Sequence, residues 1–144
     1  MTAPQPDELD PATRAWRNLR VLFQERNDMR REVTEELGMS FFRIKALRRI
    51  AREPRTLRDL AVELATDRPY TTLLVDDLAE RGLVEREPNP ADRRSKIVTV
   101  TEAGRAVAAR AEEILGTPPP VLRALPPEDL AALDRIAARL VGED

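Results

Sequence analysis

The chain has 144 residues, a net charge of −2, and neither cysteine nor histidine. That length suits one compact domain, or a small domain with oligomerisation arms. The two missing residue types exclude disulfides, thiol redox sensing, cysteine nucleophiles and Cys/His zinc sites, and they remove the commonest general base near neutral pH, so neither a metal nor another cofactor is expected.

No apolar run approaches the roughly 20 residues needed to span a bilayer, and Met1–Asp10 lacks the basic start and apolar centre of a secretory signal. A soluble cytoplasmic protein is expected. Charge is unevenly spread: residues 1–38 carry −2, residues 39–101 carry +3 and residues 102–144 carry −3. Within 41–58 seven cations (Arg43, Lys45, Arg48, Arg49, Arg52, Arg55, Arg58) face one acid, Glu53. Local rather than net charge decides where a polyanion can sit, so the basic centre is the place to look for one. A solvated helix face is the plain alternative.

Met1–Leu9 is proline-rich, polar and expected to fray. Asp10-Pro11 starts a helix, with Asp as N-cap and Pro at the first position. Apolar residues at Ala15, Trp16, Leu19, Leu22, Phe23, Met29, Val33 and Leu37 then share one broad face, predicting a single helix to about Glu36 that Gly38 stops. A helix of that length at a chain end often packs on a copy of itself. Ser40 caps a second helix, Phe41 to about Arg52, with Phe41, Ile44, Leu47 and Ile50 turned inward; Pro54 ends it. Thr56 caps a third, with Leu57, Leu60, Ala61 and Leu64 at helical spacing.

After the turn Ala65–Pro69 comes a fourth helix, closed by Gly82. Its inward face is Thr71, Leu74, Val75 and Leu78. Pro69, Thr72, Leu73 and Asp76 then point outward, flanked by Arg68 and Tyr70. Two strands follow, roughly 84–87 and 96–101, joined by a polar loop that holds Asp92, Arg93, Arg94 and Lys96. Thr101 starts a fifth helix, Glu102 to about Leu115, which Gly116–Pro120 breaks at a stiff corner. Pro126-Pro127-Glu128 opens a sixth, with an apolar stripe of Leu130, Leu133, Ile136, Ala137 and Leu140.

Helix, tight turn, helix and a two-stranded ribbon with a cationic tip make a winged helix-turn-helix, a shape that docks on double-stranded DNA. On the outward face of the fourth helix, Thr72 and Tyr70 can bond base edges or phosphates. Leu73 can touch a thymine methyl, and Arg68 can take guanine or a phosphate. Asp76 repels phosphate unless it accepts from a cytosine or pairs with an arginine. Ribbon arginines such as Arg93 and Arg94 can enter the narrow minor groove, and Asp92 can set the shape of the loop.

The segment 56–104 resembles the core signature of the MarR family of bacterial transcriptional regulators. The resemblance is carried by Leu-Arg-Asp-Leu-Ala, by Gly82-Leu83-Val84-Glu85-Arg86, by Asp92-Arg93-Arg94 and by Thr101-Glu102-Ala103-Gly104. It extends more weakly over nearly the whole chain. It implies a homodimer tied by the terminal helices, one winged helix per subunit, a pseudo-palindromic site, and Arg94 as the minor-groove residue. The thiol-sensing branch of that family needs a first-helix cysteine, which this chain lacks.

The expected fold is therefore mostly α with a small β-hairpin: a dimerisation helix over 1–38, a winged helix-turn-helix over 39–104 and dimerisation helices over 105–144. The expected function is a sequence-specific transcriptional regulator, a repressor rather than an activator, and not an enzyme, since no catalytic constellation is present. A winged-helix module that binds a protein partner is the alternative. The resemblance also implies a small aromatic or anionic effector. Arg26, amid the apolar face of the first helix, is one residue that could meet an effector carboxylate, although a salt bridge or a snorkelling stem would also satisfy it. Trp16 could stack on an aromatic effector or lie in an interface.

Overall fold

The computed structural model describes residue 2 and residues 5–143. Of the fraying leader expected over residues 1–9, residues 6–8 form a 3-10 turn, while Met1, Ala3 and Pro4 lie outside the described residues. Helix α1 is Pro11–Arg20, and the Asp10 carboxylate accepts from the Thr13 amide at 3.1 Å.

The single helix expected to Glu36 is not formed. The chain widens into a π-type turn over Val21–Arg26, leaves helical geometry at Asn27 (φ −137°, ψ 72°), and starts again as α2, Met29–Leu37. Two adjacent polar side chains make the break. The Asn27 amide donates to the Leu22 carbonyl at 3.1 Å, and Asp28 caps α2 by accepting from the Arg31 amide at 3.1 Å. The apolar pattern itself lapses from Gln24 to Asp28, so the sequence carried the signal. Gly38, at φ 63°, ends α2 in the left-handed conformation that glycine adopts without penalty.

Helix α3 spans Phe41–Arg52 and α4 spans Leu57–Glu63. The Thr56 hydroxyl caps α4 by accepting from the Asp59 amide at 3.0 Å. Between α3 and α4 lies an unexpected strand, β1 (Arg55–Thr56). Helix α5 is Arg68–Glu80, capped by Asp67, which accepts from the Tyr70 amide at 2.7 Å. The wing strands β2 (Val84–Asn89) and β3 (Asp92–Val100) are antiparallel, and β1 adds to the other edge of β3, giving the order β1-β3-β2. Helix α6 is Glu102–Gly116. The proline corner holds one helical turn, α7 (Pro120–Arg123), before α8 (Pro127–Leu140).

The core lies inside the winged unit. Leu60, Leu74, Val75, Leu78 and Val98 are fully buried, with Ile44, Leu47 and Ile50 of α3 against them. Each buried aliphatic side chain of this size stabilises by about 1.5–3 kcal/mol relative to exposure. Val33 of α2 and Ala108, Ala111 and Ile114 of α6 join the same core. By contrast, α1 and α8 have no buried residue. No helix among the described residues is long and apolar enough to cross a membrane.

Candidate nucleic-acid interface

Helix α5 is anchored as its pattern implies: Thr71, Leu74, Val75 and Leu78 are buried, and the Thr71 hydroxyl is consumed by the Asp67 carbonyl at 2.8 Å. The opposite face is open. Leu73 is 55% exposed, and Arg68 and Pro69 are exposed. Tyr70, 38% exposed, leans on Phe42 with ring centroids 5.6 Å apart, so one side of its ring is packed. The Thr72 hydroxyl donates to the Arg68 carbonyl at 3.0 Å, which leaves its oxygen lone pairs and its methyl group for a ligand. Asp76 is paired with Arg86 of β2, so the awkward carboxylate on this face is neutralised by the wing root.

The wing differs from expectation in its extent. Its strands run on to Asn89 and begin again at Asp92, leaving only Pro90-Ala91 at the tip. Arg93 and Arg94 are therefore residues of β3 and not of a loop, and Lys96 lies in the same strand. The register shifts between Pro88 and Asn89, so strict alternation does not hold here, and Arg94 and Lys96 line the adjoining groove while Arg93 does not. The polar side chains of the turn brace it. Asp92 accepts from the Arg94 amide at 3.0 Å, Asn89 accepts from the Ala91 amide at 3.0 Å, and the Asn89 amide donates to Ser95 Oγ at 3.0 Å.

Arg94 and Lys96 line an open groove of about 400 Å³ together with Arg68, from the start of α5, and Arg58, from the first turn of α4. None of these four cations forms an ion pair among the described residues. Most of the basic run in 41–58 behaves otherwise: five of its seven cations are paired with acids, which leaves it a poor polyanion surface. Arg43 pairs with Asp77 at 2.7 Å, Arg48 with Glu112 at 2.7 Å and Arg49 with Glu63 at 3.8 Å. Arg52 reaches Glu112 at 3.9 Å, and Arg55 reaches both Glu53 and Glu63. Hydrogen bonds from Arg81 and then Arg43 hold the Asp77 carboxyl below its ordinary range, and Arg48 does the same for Glu112. The sequence places Arg58 in the basic run without assigning it to the site. What distinguishes it from the paired arginines of the run is the missing acid, and from Lys45, which also forms no ion pair among the described residues, its place in the groove.

The motif residues flanking the wing have a mechanical role. Thr101 Oγ1 donates to the Gly82 carbonyl at 2.7 Å and accepts from the Gly104 amide at 3.0 Å, capping α6 while it ties the strand end to the end of α5. A Cβ on Gly104 would sit 1.9 Å from the Leu83 carbonyl oxygen, so only glycine permits that crossing.

Arg26 is not the buried cation its place on the apolar face suggested. In the single chain it is exposed, as are Trp16 and Phe23 of the same face, and it forms no ion pair among the described residues. It borders a recess of about 420 Å³ with Asn27, Asp28, Glu32, Arg110 and Pro118. Arg110 there is already engaged by Glu36 at 2.6 Å and Glu113 at 2.9 Å. A neighbouring recess of about 620 Å³ is walled by Phe23, Met29, Phe41 and Leu115, with Arg30 stacked 4.5 Å over the Phe41 ring. Trp16 borders neither recess, so the structure does not bring Trp16 and Arg26 together. Among the described residues no cluster of acids could hold a metal ion.

Residues 31–95 match the family model described as the MarR family. The whole fold is shared with solved structures. Wild-type apo MarR from E. coli superposes with a TM-score of 0.74 at 24% identity over 92% of this chain and 98% of that one. The transcriptional regulator BldR from Sulfolobus solfataricus gives 0.61 at 25% identity, covering 92% and 98%. A mutant E. coli MarR complexed with operator DNA gives 0.59 at 23% identity, covering 92% and 99%. The winged helix-turn-helix of this chain thus matches the family model described as the MarR family, and its architecture is similar almost end to end to that of solved MarR structures.

Proposed function

We propose that this protein binds double-stranded DNA sequence-specifically as a homodimer and represses transcription from a pseudo-palindromic operator. The observation that carries this reading is the groove between α5 and the wing, where Arg68, Arg94 and Lys96 stand without acidic partners among the described residues while most cations of α3 are neutralised by Asp77, Glu63 and Glu112. Arg68, Thr72 and Leu73, with Tyr70 beside them, are the major-groove surface, Arg94 enters the minor groove, and Arg93 and Lys96 take phosphates. Asp92 shapes the wing. That a protein of like fold was solved on operator DNA supports the same docking. Twofold pairing of the open faces of α1 and α8 would place two α5 helices for two half-sites.

A small organic effector, aromatic or anionic, would bind beside Arg26 in the recess next to the proline corner and release the DNA. Trp16, which lines no part of that recess, serves the dimer contact instead.

Selection of bound genomic fragments, followed by titration of the best fragment at several salt concentrations, tests the reading. Counterion release makes DNA affinity fall steeply with salt. Binding that selects no fragment, or that ignores salt, would favour the protein-interaction alternative. Arg94→Ala should weaken operator and random DNA alike, whereas changes at Thr72 or Arg68 should erase preference by roughly 1–3 kcal/mol for each base interaction removed. Wild-type binding by Arg94→Ala would make the wing a passive hairpin.

A further inference from the structure

We propose that Arg58 is a further phosphate-binding residue, one that holds the DNA backbone where it passes from the recognition helix to the wing. The inference rests on the DNA-binding reading above and adds a position from outside both α5 and the hairpin. Arg58 is the second residue of α4. It is exposed, and it lines the groove that also holds Arg68, Arg94 and Lys96.

Its place is set by β1. Arg55 and Thr56 pair with Val98 and Ile97, so α4 begins directly beside the stretch of β3 that carries Lys96. This short pairing fixes Arg58 relative to the wing, although the two are almost forty residues apart in sequence. Arg55, three residues earlier, is held by Glu53 and Glu63, whereas Arg58 forms no ion pair among the described residues. The groove contains one carboxylate, Asp92, and that side chain accepts from the Arg94 amide. Four cations converging on one concave surface with a single, already engaged acid create a local positive potential that a phosphodiester would relieve. The first helix of a helix-turn-helix crosses the DNA backbone while the second reads the bases, so a residue on α4 meets phosphate and carries no sequence information.

The test is fluorescence anisotropy with the full chain on its best-bound genomic fragment and on a random duplex of equal length, at several salt concentrations. Arg58→Ala should bind both duplexes more weakly, on the order of tenfold for each charged hydrogen bond removed and so about a hundredfold for a dimer that loses two, and leave their ratio unchanged. The dependence of log affinity on log salt should become shallower by roughly 0.9 for each phosphate no longer neutralised, one per subunit. Arg58→Lys should recover most of the affinity. Arg58→Gln, which keeps a long polar stem, should match Arg58→Ala, separating the missing charge from any local change in α4. Wild-type affinity and salt slope in both neutral variants would overturn the proposal, as would loss of preference without loss of affinity for random DNA. If the unaltered protein binds no duplex at low salt, the DNA-binding reading itself fails, an outcome distinct from wild-type-like variants.

Discussion

The winged unit and the two ends of the chain use similar residues to opposite effect. In α5, the apolar positions Leu74, Val75 and Leu78 are buried by α3, α4 and the sheet. In α1 and α8, Trp16, Ile136 and Leu140 stand 63%, 46% and 75% exposed. An amphipathic helix gains stability only when something covers its apolar stripe. Within one chain the winged unit, together with α2 and α6, covers its apolar faces and α1 and α8 do not, and those open faces are what the proposed dimer would bury.

The largest effect that separates the two regions is a core truncation. Leu74→Ala should cost about 2–5 kcal/mol of unfolding free energy, because it removes buried methyl groups and leaves a cavity. Leu140→Ala, by the same chemistry on an open face, should leave the stability of an isolated subunit within about 0.5 kcal/mol. Urea unfolding at low protein concentration compares them, and similar losses would mean that α8 is covered within its own chain.

A double change, Leu133→Glu with Ile136→Glu, should next abolish the dimer while leaving the helical signal of the winged unit largely intact. Light scattering reads the mass and circular dichroism the fold. Operator affinity should fall by on the order of a hundredfold or more, since two linked half-site interactions become one. A monomeric wild-type protein at micromolar concentration would sink the assignment of α1 and α8 to assembly.

A smaller effect sharpens the picture within the winged unit. Arg86 neutralises Asp76 on the open face of α5. Arg86→Ala should therefore weaken DNA binding by uncovering a carboxylate beside phosphates, and adding Asp76→Asn should restore much of the affinity. A double variant as weak as Arg86→Ala alone would show that Arg86 shapes the wing and does not mask charge.

The smallest effect is on acid stability. The Asp77 carboxyl is held low by Arg81 and Arg43, so its folded pKa lies below its unfolded one. Its contribution is then complete above the ordinary carboxylate range and is lost as pH falls through the folded value. Asp77→Asn should flatten the decline of stability below about pH 4, measured by thermal melting, and leave the neutral-pH curve shape unchanged. An unaltered acid limb would mean the Arg43–Asp77–Arg81 cluster contributes nothing to folding.

Much of the fold is legible in the order of residues. Helical spacing identifies the buried face of α5, side chains such as Ser40, Thr56 and Thr101 mark helix starts, and Gly82 and Gly38 mark ends. The single helix read from periodicity overruns Gln24–Asp28, where the apolar pattern lapses and two side-chain hydrogen bonds set the break. Strand β1 escapes notice because two residues carry no period, and their partner lies some forty residues away. The wing strands extend further than the sequence suggests because Asp92, Arg93 and Arg94 read as loop chemistry, although strand pairing resumes beyond them where Asp92 meets Asn89.

The local propensities, apolar periods and capping residues of the sequence by themselves determined the succession of helices, the hairpin, the inward face of α5 and the absence of thiol and imidazole chemistry. Those properties depend on residue identity and on neighbours a few positions apart. Tertiary structure alone decided which cations remain free. Seven basic residues in 41–58 look equivalent in one dimension, yet five find carboxylates from α4, α5, α6 or the neighbouring turn, Lys45 is half-buried without an ion pair among the described residues, and Arg58 lines the groove beside the wing. An ion pair forms by distance in space, and that distance is set only after the helices have packed.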